Sequence, residues 1–148
     1  MNAPIGDQES RWPIVYQQKF LRQQALADFA FTDAARWRWH QQGEEHGLTL
    51  LGGSQYKPKH RSPTSIALIK DVEVLDFDLD VDLMQTGRNY GHRGMCVFCG
   101  FQSPSRFYYT HMATKPDANA HNIFRVKDAP RTNMAPVATN GIDWGDAT

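Results

Sequence analysis

Residues 75 to 83 read Leu75-Asp76-Phe77-Asp78-Leu79-Asp80-Val81-Asp82-Leu83. Apolar side chains fall on every odd position and aspartates on every even one. That strict period of two predicts a β-strand with one buried face and one polar face. A helix would scatter the aspartates around its circumference at 3.6 residues per turn. The flanking segments read in the same way. Upstream, 65–69 and 48–51 read as short strands, and Trp37-Arg38-Trp39 alternates. Between them lie a polar turn at 41–47 and a surface loop at 54–63 holding Lys57, Lys59, His60 and Arg61. Further upstream, 18–27 is rich in helix formers and predicts a short helix. Thr32-Asp33 offers an N-cap for one turn through Ala34 and Ala35.

Downstream, a polar loop at 87–94 leads into 95–101, which is apolar on both parities. That pattern predicts a central strand buried on both faces. Residues 102–105 form a turn, and 107–113 complete a β-hairpin. A last short strand covers 122–126. The remaining residues, with Pro130, Pro136, Gly141 and Gly145, read as irregular. Six to eight short strands joined by Gly, Pro and Asn turns predict an all-β fold, an antiparallel β-sandwich or jelly roll. Residues 1–13 read as a loose arm and 14–148 as one domain.

Composition narrows the function. The chain has 148 residues, 41% of them hydrophobic and 11% aromatic, which suits a single domain with a real core. Sixteen basic residues balance sixteen acidic ones, so the formal net charge is +0. A general attraction to nucleic acid or to an anionic membrane surface is therefore not expected. No run approaches the roughly 20 apolar residues that span a bilayer. The N-terminus has neither a basic leader nor an apolar signal core. The chain as written is expected in the cytoplasm, and outside it if it is a piece of a longer exported protein. Two cysteines, Cys96 and Cys99, make no disulfide scaffold.

A family likeness is carried by Arg61-Ser-Pro, the aspartate run, Gln85-Thr-Gly-Arg-Asn-Tyr-Gly-His-Arg93, and Val97-Phe-Cys-Gly-Phe-Gln-Ser-Pro-Ser-Arg-Phe-Tyr-Tyr109. From about Ile14 to Trp144 the chain resembles bacterial concanavalin A-like (laminin G-like) jelly-roll domains. Within them it looks like those grouped with 3-keto-disaccharide hydrolase-like and family 16 glycoside hydrolase-like proteins. The resemblance implies two packed antiparallel sheets and a carbohydrate-related role. It also implies further strands beyond a segment like 141–144, so the sandwich is expected to lack its C-terminal strands. Exposed edges of such a sandwich imply self-association.

The chemistry-bearing residues admit more than one reading. Neighbouring aspartates of the 76–82 row would stand roughly 6.5–7 Å apart on a strand. That spacing suits the carboxylate pairs of glycosidases, but the family 16-like enzymes use glutamates at those positions and none is present here. The plainer reading is a solvated face. A structural calcium with Asp78 and Asp80 as weak candidates is the other. An EF-hand is excluded, because the sixth loop position is Val81 and the twelfth is Gly87. Cys96-x-x-Cys99 lacks a second ligand pair for zinc, and on a strand its sulfurs point to opposite faces, so core cysteines are expected.

Tyr90, His92, Arg93, Arg106, Tyr109 and His111 combine flat rings with hydrogen-bonding groups, which is what a saccharide requires. His111 marks the 107/109/111 face of the hairpin as the wetter one. The ordinary alternative is aromatic sheet packing, with Arg93 bridging to an aspartate of the neighbouring strand. Three functions follow. The first is a non-catalytic carbohydrate-binding domain with a groove on one sheet. The second is a saccharide hydrolase acting on glycosidic bonds. The third is a structural or interaction module.

Overall fold

The computed structural model describes residues 12–146. The N-terminal arm expected at 1–13 therefore lies almost wholly outside the described residues. Eight strands follow in order: β1 Phe29–Phe31, β2 Trp37–Gln42, β3 Glu45–Leu50, β4 Ala67–Ile69, β5 Gly94–Ser103, β6 Arg106–Ala113, β7 Asn122–Lys127 and β8 Thr132–Asn133. Every pairing is antiparallel. The fold is all-β. The helix expected at 18–27 is a 3-10 turn at Gln23–Asp28, and Asp33 precedes a second one at Ala34–Arg36.

The largest sheet has four strands in the order β5-β6-β7-β8. Its inner face aligns Phe98, Tyr109 and Phe124 across three strands. Tyr109 stacks on Phe124 at 5.1 Å and faces Phe98 at 5.5 Å. Phe107 and Val126 close the core beside them. A β-bulge between Cys99 and Ser103 shapes this core, with Gly100 at φ +57°. Phe98 and Phe101 are three apart and would face opposite sides of a regular strand. The bulge turns Phe101 inward, and its ring stacks on Phe107 at 5.2 Å.

Two smaller sheets hold the other strands of the described residues. The β2–β3 hairpin closes through the two-residue loop Gly43-Glu44, with Gly43 at φ +61°. β1 pairs with β4. An aromatic row runs through this region. Phe20, Phe29, Phe31 and Trp37 stack in sequence at 5.9, 6.1 and 5.8 Å.

Four expectations are corrected. The aspartate run 75–83 forms no strand: no ladder includes it, and both of its side-chain rows face solvent. Alternation supplies two faces, but a strand also needs a neighbour to bond with, and no described segment lies in register beside this one. β5 is an edge strand of its sheet and is not central. The 107/109/111 face is the buried one, since Phe107 and Tyr109 lie in the core while Tyr108 and Thr110 are exposed. Cys99 is exposed, whereas Cys96 sits inward, where burial pushes its thiol up to about 12.

The segment after β8 lacks regular structure but is tied down at its end. Ile142 donates to the Ala113 carbonyl at 2.9 Å, and the Trp144 indole donates to the Arg93 carbonyl at 3.1 Å. A Cβ on Gly141 would fall 2.0 Å from the Thr114 carbonyl oxygen, so only glycine allows this approach.

Candidate functional site

The six residues expected to hold a saccharide do not converge. Arg106 and His92 lie at opposite ends of the β5–β6 hairpin, roughly 23 Å apart at about 3.3 Å per residue. Arg106 pairs with Asp128, its Nε donating at 2.7 Å, which raises the guanidinium and lowers the carboxyl. Tyr109 is 0% exposed, and its hydroxyl accepts from Arg131 at 3.0 Å. Tyr90 is exposed, with the Arg88 guanidinium 5.5 Å from its ring centre.

Arg93 is 2% exposed and pairs with no aspartate among the described residues. Its guanidinium donates to the Gly145 carbonyl at 2.7 Å and to the Gln85 carbonyl. Its Nε has no partner among the described residues. The expected bridge to the aspartate row is thus replaced by two backbone carbonyls. Arg93 acts as a clamp that joins the loop before β5 to the end of the chain.

His92 and His111 do share a polar cluster. His92 Nε2 lies 2.5 Å from Asp117 Oδ2, on the surface. The Asn119 backbone amide, reinforced by His92, holds the Asp117 carboxyl below its ordinary value. Burial pushes the His111 imidazole down, opposed by a backbone hydrogen bond at Asn119. His111 also lines an open recess of about 210 Å³ with His121, Asn122 and Pro136.

A second recess, of about 270 Å³, lies where the 3-10 turn Gln23–Asp28 meets β2. Gln23 and Leu26 come from the turn, and Trp37, Arg38 and Trp39 from the strand. Trp37 and Trp39 share one face of β2 by strand parity. Both indoles are anchored. Trp37 stacks on Phe31, and the Trp39 Nε1–H donates to the Phe20 carbonyl at 2.6 Å. Phe20 adopts a left-handed conformation, φ +53°, that an aromatic residue rarely takes. The Trp37 indole N–H is buried and has no partner among the described residues. Two fixed indoles and Gln23 therefore meet in one place, while Arg38 projects from the opposite side of β2 by strand parity and the Trp37 N–H is enclosed. Trp37-Arg38-Trp39 is legible in the sequence as an alternating aromatic pair. Gln23 and Leu26 carry no signal that would join them to it.

Among the described residues, no three His, Cys, Asp or Glu side chains gather as a metal-ligand group. Asp78 and Asp80 stay on the exposed run. No helix of the described residues is long and apolar enough to cross a membrane. Comparison with known proteins finds no matching family model, curated protein or solved structure.

Proposed function

We propose that this protein is a non-catalytic carbohydrate-binding module of the concanavalin A-like jelly-roll class, with its saccharide seated in the Trp37–Trp39 recess. The carrying observation is the make-up of that recess: two anchored indoles beside Gln23 and Leu26. Sugar rings present C–H faces that lie on aromatic planes, and hydroxyls that need directed donors and acceptors. The two indoles offer such planes and Gln23 offers an amide within one recess. Binding ranks above hydrolysis because no carboxylate among the described residues lines either recess. Glycoside cleavage ordinarily uses a pair of them.

A glycan array read together with a reducing-sugar assay tests this. Binding without sugar release is the expected result. Gln23→Ala should weaken binding by roughly three- to tenfold, as loss of one hydrogen bond does. Sugar release would replace this reading with the hydrolase. Silence in both assays would remove both carbohydrate readings.

A further inference from the structure

The run 75–83 keeps its alternating pattern but lacks everything a strand normally has. Leu75, Phe77, Leu79 and Val81 are 98, 47, 53 and 48% exposed. No backbone hydrogen bond joins 75–83 to another described segment. Its aspartates make no ion pair among the described residues. Among the described residues the fold therefore leaves the Leu75–Val81 row, the acidic row and the backbone donors and acceptors between them largely unpaired.

We propose that 75–83 is a docking strand for a partner polypeptide whose own strand alternates apolar and basic residues. Charge decides the occupant. A second copy pairing antiparallel about Leu79 would set Asp76 against Asp82 and Asp78 against Asp80. A shift of two residues keeps aspartate against aspartate. A shift of one sets aspartates against leucine, valine or phenylalanine. In-register parallel pairing stacks each aspartate beside its copy. Like charges directly opposite one another destabilise a ladder. A strand of alternating lysine or arginine and apolar residues avoids both conflicts. It places cations across from the carboxylates, apolar groups across from the Leu–Phe–Leu–Val row, and main-chain hydrogen bonds between.

The test uses the full chain and three end-blocked nonapeptides, alternating valine with lysine, with glutamate or with threonine. Peptide titration is read together with amide hydrogen exchange. The valine–lysine peptide should bind, slow exchange within 75–83, and bind more weakly as salt is raised. Asp78→Lys with Asp80→Lys should weaken that peptide by about tenfold. The same variant should gain affinity for the valine–glutamate peptide. Both positions are solvent-exposed, and an unchanged melting temperature confirms that the variant folds. Equal binding of the lysine and threonine peptides would overturn the proposal. So would binding without slowed exchange in 75–83. Protection of 75–83 that rises with protein concentration alone would give the strand to a second copy instead.

Discussion

β7 and the run 75–83 share one pattern and have opposite fates. In β7, Asn122, Phe124 and Val126 are buried, while Ile123, Arg125 and Lys127 face outward. In 75–83 the same alternation leaves both rows in solvent, apart from a half-buried Leu83. β7 is flanked by β6 and β8, which satisfy its backbone on both sides. The run 75–83 has no such neighbours among the described residues. A period of two therefore shows that a segment can present two faces. Whether it becomes a strand depends on pairing with residues distant in sequence.

The largest effect should come from the paired region. Phe124→Ala removes a ring stacked on Tyr109 and capped by Arg131, whose guanidinium lies 4.8 Å from its centre. It should cost about 3–5 kcal/mol in denaturant melts. Phe77→Ala on the unpaired run should cost less than about 0.5 kcal/mol. Equal costs would break the comparison, because they would mean that 75–83 is packed in solution.

A smaller effect should appear just beyond the run, where Gln85 ties the chain to the start of β5. Gln85 donates to the Gly94 carbonyl at 2.7 Å, and its own carbonyl accepts from Arg93. Arg93→Met should cost about 1–3 kcal/mol by leaving the Gln85 and Gly145 carbonyls without their donor. Hydrogen exchange at 141–145 should speed up as that end of the chain loosens. Arg93→Lys restores the charge but not the planar fork, so it should recover only part of the loss.

The smallest effect distinguishes His111 on β6 from Asp117 in the loop that follows it, by pH. His111 is pushed below its ordinary 6.5, first by burial. The unfolded chain then binds a proton that the folded chain does not. Stability should fall as the pH drops below about 6.5 and level off below the folded value. Asp117 is shifted down from 3.8, so its contribution holds above that value and is lost as the pH falls through its folded one. Thermal melts from neutral to acidic pH should therefore show two separate limbs. His111→Gln should flatten the upper one and leave the lower one in place.

Much of the fold is legible in the sequence where the signal is local. The turn expected at 102–105 overlaps the tighter one at 104–105 between β5 and β6, and the expected strands at 37–39, 48–51, 65–69 and 122–126 each overlap a real one. Pairing is not a local property. The apolar run 95–101 reads as central, yet its strand lies at an edge, because sheet order depends on which segments find each other. The hairpin's wet and dry faces were also hidden. His111 suggests a wet face, but it sits one residue pair from Tyr109, and the aromatic core of Phe98, Phe107 and Phe124 determines the parity. In the candidate site, Trp37 and Trp39 are visible as a pair. Their partners Gln23 and Leu26 reach them through the 3-10 turn and the left-handed Phe20, neither of which the sequence announces.

The two cysteines, three residues apart, end in different chemical worlds. Cys96 faces the core with its thiol pushed up to about 12, so at neutral pH it stays protonated and a poor nucleophile. Cys99 stands in solvent opposite Tyr108, on the outer face of the edge strand. The chain thus carries a single addressable thiol without any engineering. A spin label or fluorophore attached there would report on the free edge of the main sheet and leave the interior untouched.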